Sequence, residues 1–357
     1  MRRPALGVAA AALLSACSFV LDFDELEAER APSSPGGDAA ICEPTGPHDA
    51  DPKNCGACGH DCLGGACVGG RCQPVTLVSG LDGVAQLREG GDALFVTVPG
   101  ANELARVPKA GGRFDVIAVE KNLFNLSVVG RWVYFASDVG AGRVSVDGSP
   151  VERLDDEGLG DITADDEFAY RCTYAGAVKR QGLLFRRRHS DGLRQTLAGE
   201  LTACETVQLA GGAVVYGENG LQDVKGVWTV PRGGGIPVQL VSRPARRIAV
   251  DDAYAYFVQY YDGEVRRVPL TGGPDALVAS TAPLQTGPGD IAVDDRYVYW
   301  VVAKPAAEGG SVRRAPKAGG PAESLVGEID VPRGIVVDAA AVYWTEERAG
   351  TVRKLAK

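Results

Sequence analysis

A sequence repeat of about forty residues recurs from residue 75 to the C-terminus and constrains the fold more than any other feature of the sequence. Its clearest copy runs through Ile291–Asp295, Val298–Trp300, Ser311–Gly320 and Glu323–Val326. Every copy contains one marker aromatic, and successive markers are 39, 36, 46, 40, 43 and 44 residues apart: Phe95, Tyr134, Tyr170, Tyr216, Tyr256, Tyr299 and Tyr343. A regular period of this length indicates supersecondary units that pack against their neighbours.

Each copy of the repeat predicts four short strands. The apolar segment before Asp294-Asp295 predicts a buried first strand and a turn, and Val298–Trp300 favours an extended second strand. A third strand ends at Pro316, which donates no ladder hydrogen bond, and Gly319-Gly320 supplies a turn with positive φ. Seven such units predict an all-β fold, a seven-bladed β-propeller over residues 75–357.

The two ends of the repeat region predict how the ring closes. The last copy contains Ile335–Asp338, Val342–Trp344 and Thr351–Leu355, and it has no fourth strand. Val75–Ser79 precedes the first copy and matches Val238–Ser242, the fourth-strand segment of another copy. We therefore expect the N-terminal strand to complete the seventh blade and to leave no open sheet edge.

The second strands resemble those of YWTD-type propellers and related bacterial repeats. Tyr299-Trp300 and Tyr343-Trp344-Thr345 match that motif, whereas Glu346 stands where the family has Asp. Blades three and four depart further, because Arg171 takes the place of Trp300 and Tyr216 is followed by glycine. That family usually has six blades and this chain has seven repeats, so the resemblance concerns repeat architecture rather than receptor function.

Residues 1–16 have the layout of a signal peptide. Two arginines are followed by an apolar run that is too short to span a bilayer. The run ends in Leu14-Ser15-Ala16-Cys17, which resembles the lipobox of bacterial lipoproteins. The resemblance implies export, lipidation of Cys17 and a membrane anchor of several acyl chains. Ser18, the residue after the cysteine, does not suggest retention in the inner membrane, which favours the outer membrane. The alternative is ordinary signal-peptide cleavage in which Cys17 has no role and is not lipidated.

Residues 17–41 follow the lipobox as a predicted flexible tether. Five acidic residues precede the stretch Pro32–Gly37, and neither composition provides an apolar core. The tether would hold the folded part of the chain away from the membrane.

Residues 42–72 form a predicted Cys-rich module. It has almost no aliphatic core, so cross-links must hold it together. The run Asn54–Gly59, with Gly70-Arg71-Cys72, resembles Stig1-like modules. Export and the even number of cysteines favour three disulfides over a zinc site at Cys55-x-x-Cys58. The sequence leaves all fifteen possible disulfide pairings open. The module contains six cysteines: Cys42, Cys55, Cys58, Cys62, Cys67 and Cys72.

Two further cysteines lie within the propeller repeats. Cys172 falls in the second strand of blade three, and Cys204 falls near the first strand of blade four. Adjacent blades bring these strands together, which predicts an inter-blade disulfide; two buried thiols are the alternative. With Cys17 set aside, the nine cysteines leave an even number suited to an oxidising compartment.

The composition and motifs argue against several classes of function. A net charge of −9 excludes a continuous basic footprint for nucleic acid. His48 and His60 precede the repeats, and His189 is the only histidine within them. The repeats therefore contain no equivalent of the paired histidines on which some propeller lyases rely. Asp-Asp pairs recur at one repeat position, which indicates turn residues that cap backbone amides rather than a catalytic pair. We therefore expect no enzyme activity, metal or cofactor.

The predicted binding face is formed by the loops between second and third strands and by the connections between blades, where the blades meet at the central channel. Exposed tyrosine and arginine often anchor partners. This predicts a non-enzymatic envelope lipoprotein that presents its propeller to a protein, peptide or glycan. The alternatives are a propeller-type polysaccharide lyase or hydrolase and a structural envelope component. The candidate ligand-binding residues are Tyr260, Tyr261, Arg246, Lys304, Arg333 and Glu346.

Overall fold

A computed structural model of the chain describes residues 48–173, 182–219, 225–259, 262–280, 288–304 and 306–357. In these residues seven four-stranded antiparallel sheets form the blades, and a two-stranded ladder belongs to the Cys-rich module. The predicted signal peptide, Cys17, the tether and Cys42 lie outside the described residues. No helix of the described part is long and apolar enough to cross a membrane.

The strands follow the chain without crossovers. The module contains β1 (Cys67–Val68) and β2 (Arg71–Cys72), and β3 (Val75–Val78) follows it. Blade one contains β4 (Leu87–Gly90), β5 (Ala93–Val98), β6 (Glu103–Pro108) and β7 (Asp115–Val119). Blade two contains β8 (Leu123–Val129), β9 (Trp132–Ser137), β10 (Gly140–Ser145) and β11 (Glu152–Asp155). Blade three contains β12 (Gly160–Ala164), β13 (Phe168–Thr173), β14 (Gly182–Arg188) and β15 (Arg194–Leu201).

The other blades repeat this order. Blade four contains β16 (Cys204–Ala210), β17 (Ala213–Asn219), β18 (Lys225–Pro231) and β19 (Val238–Val241). Blade five contains β20 (Ile248–Val250), β21 (Tyr254–Gln259), β22 (Glu264–Pro269) and β23 (Ala276–Ser280). Blade six contains β24 (Pro288–Val293), β25 (Tyr297–Val302), a 3₁₀ turn (Ala306–Glu308), β26 (Ser311–Pro316) and β27 (Glu323–Val326). Blade seven contains β28 (Pro332–Val337), β29 (Ala341–Glu346) and β30 (Thr351–Ala356).

The N-terminal strand closes the ring, as the sequence predicts. In blade seven, β3 is the outer strand and pairs antiparallel with β30, with Thr76 opposite Arg353 and Val78 opposite Val352. The first strands of blades seven and one are in contact, so the inner ring is continuous. Seven blades are therefore confirmed, and no blade lacks an outer strand.

The marker aromatics pack between the blades. All seven lie in the second strands and are almost completely buried. Leu94 and Val96 of blade one, for example, share an apolar cluster with Tyr343 of blade seven. The ring is thus held by cores between neighbouring sheets rather than by a single central core.

The repeated aspartates cap backbone amides at the turns, as predicted. Asp294 accepts hydrogen bonds from the amides of Arg296 and Tyr297 at 2.8 Å and from the Tyr299 hydroxyl at 2.8 Å. Asp165, Asp251 and Asp338 repeat this arrangement in blades three, five and seven.

Each of these capping aspartates also pairs with a cation of the next blade. The four pairs are Asp165–Arg232, Asp251–Lys317, Asp294–Lys357 and Asp338–Lys109. Turn capping and the attachment of one blade to the next are therefore performed by the same carboxylates.

Blades three and four form separate sheets, despite their irregular sequences. Arg171 lies opposite Ile162, as Trp300 lies opposite Ile291 in blade six. In blade four the corresponding position is Gly217, where an added Cβ would lie 2.6 Å from the Ala245 carbonyl oxygen. A disulfide between Cys172 and Cys204 joins the two blades, and this is the pairing that the sequence predicts.

The Cys-rich module packs against the end of the propeller. It contains the disulfides Cys55–Cys67 and Cys62–Cys72, and Cys58 is also disulfide-bonded. His60 lies between module and propeller, with Nδ1 2.6 Å from the Cys55 carbonyl oxygen and Nε2 2.8 Å from the Lys357 carbonyl oxygen.

Candidate binding cavity at the channel mouth

A cavity of about 660 Å³ lies at the centre of the face that carries the connections between blades and the loops between second and third strands. We call it the mouth cavity. Because the first strands begin at this face, every blade contributes to its wall. The lining residues are Ala85, Gln86 and Pro99 near blade one, Leu123, Phe124 and Asn125 of blade two, Leu159 and Gly160 of blade three, Cys204 and Glu205 of blade four, Arg246 and Arg247 before blade five, Gly289 and Ala303 of blade six, and Arg333 and Glu347 of blade seven.

One side of the mouth cavity is rich in arginine. Arg246 pairs with Glu205, with Nε 3.4 Å from Oε2, and Arg333 pairs with Glu347, with Nε 2.5 Å from Oε2. Both arginines are exposed, so these ion pairs are weak in water. Arg247 is half-buried and donates from Nη1 to the carbonyl oxygens of Arg246 at 3.1 Å and Glu205 at 3.4 Å. Backbone oxygens therefore orient its guanidinium.

The opposite sector of the mouth cavity is apolar. Phe124 is 43% exposed and Leu159 is 36% exposed, which is high for large apolar side chains. Phe124 lies in the first strand of blade two, and Leu159 lies in the connection between blades two and three. The arginines come from the connection before blade five and from the first strand of blade seven. The cavity thus has an apolar wall and a cationic wall.

The floor of the mouth cavity contains an unpaired polar atom. Gln86 is 8% exposed, and its side-chain Oε1 is buried without a hydrogen-bond partner among the described residues. A buried amide oxygen without a partner carries an energetic cost, so it is suited to accept a hydrogen bond from a bound group.

The carboxylates beneath the mouth cavity have structural roles. Asp161 accepts hydrogen bonds from the amides of Ile162 and Val207, both at 2.9 Å, and burial raises its pKa. Asp290 accepts from the amides of Ile291 and Ile335 and pairs with Arg88 at 3.4 Å. Each aspartate holds its own first strand beside that of the next blade.

Only some of the predicted binding residues line the mouth cavity. Arg246 and Arg333 line the mouth cavity. Lys304 and Glu346 are buried and do not line it; Glu346 accepts a hydrogen bond from Trp344 Nε1 at 2.9 Å and pairs with Arg353. Tyr260 and Tyr261 lie outside the described residues.

Sequence reasoning did not single out Phe124, Leu159, Gln86 or Arg247, although all four line the mouth cavity. A usable signal existed for two of them. Gln86 and Arg247 come directly before the first apolar residue of their inner strands, Leu87 and Ile248, and that register position recurs in every repeat.

The propeller histidine and the clustered cysteines do not contribute to the mouth cavity. His189 lies on the opposite face, with Nε2 3.0 Å from the Asp165 carbonyl oxygen and 3.3 Å from the Tyr134 hydroxyl. The sulfur atoms of Cys55, Cys62 and Cys72 lie within 4.8 Å of one another, but all three are in disulfides and are not thiolate ligands.

Comparison with known proteins defines the class of fold. No family model and no curated protein sequence matches the chain. Solved structures do match: a catalytically inactive variant of virginiamycin B lyase from Staphylococcus aureus with quinupristin has a TM-score of 0.64 at 15% identity, covering 80% of this chain and 98% of that one. The β-propeller domain of Cps50 (Swd1) from Myceliophteria thermophila has a TM-score of 0.61 at 11% identity, covering 80% and 100%. Kuenenia stuttgartiensis hydrazine synthase has a TM-score of 0.60 at 12% identity, covering 79% and 98%.

At these identities the likeness concerns fold alone. The chain is a seven-bladed β-propeller. The solved structures that share this fold include both enzymes and non-enzymes. Its function has to be argued from the mouth cavity.

Proposed function

We propose that this chain is an exported, lipid-anchored binding protein of the bacterial cell envelope and not an enzyme. Its propeller would present the mouth cavity to a protein, peptide or glycan. The observation that carries the proposal is the cavity itself, a concave site of about 660 Å³ to which all seven blades contribute. Exposed arginine and phenylalanine at its wall are side chains that favour recognition.

The partners of the acidic groups support binding rather than catalysis. A general acid or base must be able to reach the substrate's proton. In the described lining, both carboxylates are paired with arginines, Glu205 with Arg246 and Glu347 with Arg333. Asp161 and Asp290 lie beneath and hold backbone amides. No histidine is among the lining residues.

Capture from the native envelope tests the binding face. The immobilised full chain is compared with the double variant Phe124→Ala/Leu159→Ala and with the control Leu193→Ala/Ile236→Ala, which removes exposed apolar side chains from the opposite face. We expect the retained protein or glycan to be lost with the first variant only. Equal retention by all three proteins would remove the mouth cavity from the proposal.

The enzyme alternative has its own assay. A polysaccharide lyase or hydrolase would shorten purified extracellular polysaccharide, with new reducing ends or, for a lyase, unsaturated products. We expect no turnover by the full chain. Turnover that is abolished by Arg333→Ala or Glu347→Gln would establish enzyme activity at the mouth cavity.

The membrane anchor is proposed from the lipobox-like residues Leu14–Cys17. Metabolic labelling with an alkynyl fatty acid should label the full chain in bacterial cells, and Cys17→Ser should remove the label. Ser18→Ala is the matched control and should keep it. Undiminished labelling of Cys17→Ser would contradict lipidation at this residue.

A further inference from the structure

We propose that the mouth cavity selects a peptide segment in which a carboxylate lies next to an apolar side chain. This inference rests on the proposed binding function and specifies its ligand. Three features of the cavity, on different blades, match three groups of such a segment.

The cationic wall would bind the carboxylate. Among the described lining residues of the mouth cavity are three arginines and two glutamates, which sum to one net positive charge in a chain of net charge −9. Arg247 is the best placed, because both of its hydrogen bonds to described residues use Nη1 and both go to backbone oxygens. A guanidinium has five N–H donors, and its remaining edge is suited to a bidentate carboxylate.

The apolar wall would bind the neighbouring side chain. Phe124 and Leu159 are exposed at the edge of the same cavity. Covering them with an aliphatic or aromatic side chain would remove apolar surface of both partners from water. An acidic oligosaccharide has carboxylates but no such side chain, so this wall favours a peptide over a glycan.

The floor would accept a backbone N–H. Gln86 Oε1 has no hydrogen-bond partner among the described residues and belongs to a cavity-lining residue that is 8% exposed. A peptide amide is a donor that could fill this need without any further charge. Carboxylate, apolar side chain and amide are thus matched by three separate parts of one cavity.

The test uses two dye-labelled hexapeptides and the full chain. The first peptide contains Phe followed by Glu within a Gly/Ser frame, and the second has Gln in place of Glu. Fluorescence anisotropy should give about tenfold tighter binding of the acidic peptide, since hydrogen bonds to charged groups exceed neutral ones by about that factor. Equal affinity of the two peptides would overturn the inference.

Variants locate the effect. Arg247→Ala should reduce the preference for the acidic peptide to about twofold or less, and Arg247→Lys should retain part of it because the charge remains without the planar fork. Arg113→Ala removes an exposed arginine from the opposite face and should change nothing. A preference that survives Arg247→Ala would contradict the assignment of the carboxylate to this residue.

A third ligand separates this inference from the proposed function. Oligogalacturonate carries carboxylates on a sugar backbone. If it binds in an Arg247-dependent manner and neither peptide binds, the peptide inference is wrong and the binding function stands. If no ligand binds and envelope capture is insensitive to Phe124→Ala/Leu159→Ala, both proposals fail.

Discussion

In blade six the second strand places Trp300 at a fully buried position, whereas in blade three the corresponding residue is Arg171, which is 1% exposed. Trp300 packs in an apolar cluster with residues of blades five and six. Arg171 instead donates to the carbonyl oxygens of Asp161, Glu157 and Gly158 and lies 3.4 Å from the Asp155 carboxylate. One repeat position is therefore filled by dispersion contacts in one blade and by polar bonds in the other.

This difference matters for the mouth cavity. Glu157 and Gly158 belong to the connection that continues into Leu159 of the apolar wall. Arg171 thus fixes the backbone that presents Leu159, and the Cys172–Cys204 disulfide fixes the adjacent wall, since Cys204 also lines the cavity. The least regular part of the ring is the part that shapes the candidate site. A regular blade with tryptophan would leave those carbonyl groups without this donor.

Removing Arg171 should have the largest effect on this comparison. Arg171→Ala leaves the Asp155 carboxylate without its ion-pair partner and three carbonyl oxygens without this donor, which costs about 3–5 kcal/mol of unfolding free energy. Trp300→Ala in blade six should cost about as much, 3–5 kcal/mol, through lost packing. Urea unfolding measures both, and Arg187→Ala, a half-buried arginine of the same sheet, is the control. A loss below about 1 kcal/mol for Arg171→Ala would mean that the buried arginine is not a structural equivalent of tryptophan.

Removing the inter-blade disulfide should have the next largest effect. Cys172→Ala/Cys204→Ala releases a cross-link between residues 32 apart, and we expect a loss of about 2–4 kcal/mol. Hydrogen exchange should show the loss of protection in blades three and four first. The control Cys55→Ala/Cys67→Ala should affect the module instead. Uniform loss of protection around the ring would contradict a local role.

Acid should weaken the regular blades. Burial by itself raises the pKa of Asp294, but hydrogen bonds from Lys357, the Tyr297 and Arg296 amides and the Tyr299 hydroxyl outweigh it and lower the pKa to about 2 from an ordinary 3.8. A lowered folded-state pKa contributes stability above pH 4 that disappears as the pH falls from about 4 to about 2. Asp294→Asn should therefore flatten this part of the stability curve.

The matched control for the acid experiment is Asp295→Asn, which changes an exposed aspartate of the same turn. It should leave the acid-induced loss of stability as in the parent chain. A curve for Asp294→Asn that is as steep as that of Asp295→Asn would show that the capping aspartate does not contribute to the pH dependence.

The smallest effect concerns the tyrosine hydroxyls of blades five and four. Tyr256 donates to Asp251 at 3.0 Å, whereas Tyr216 makes no hydrogen bond through its hydroxyl within the described residues. Tyr256→Phe should cost about 1 kcal/mol, and Tyr216→Phe should stay within about 0.5 kcal/mol of the parent. Thermal unfolding compares them directly. Equal costs would remove the distinction between the capped and uncapped blades.

The sequence was sufficient for the architecture because the repeat is local. The marker aromatics and the capping aspartates can each be recognised within one copy of the repeat. Ring closure could be recognised because the last copy lacks a fourth strand and Val75–Ser79 matches one. The structure agrees, with β3 paired to β30. Blade boundaries and ring closure therefore followed from periodicity.

The mouth cavity was only partly predictable because its wall is assembled from connections that vary between copies. Arg246 and Arg333 were identified by their place in the connections between blades, and they line the cavity. Lys304 follows β25 and Glu346 ends β29 on the same face, but both residues are buried. Whether a loop residue faces the channel depends on contacts between blades, such as Arg171 with Glu157, and these are not encoded in one repeat.

In-cell photo-crosslinking can show whether a partner occupies the mouth cavity of the protein in its native setting. A photoreactive amino acid is placed at Leu159 in the cavity wall, and at Ile236, which is 86% exposed on the opposite face. If the mouth cavity is the binding site, light should convert the Leu159 protein into a discrete crosslinked species, Arg247→Ala should reduce its yield, and the Ile236 protein should give none. Equal crosslinking from both positions, or crosslinking from Ile236 alone, would contradict binding at the mouth cavity.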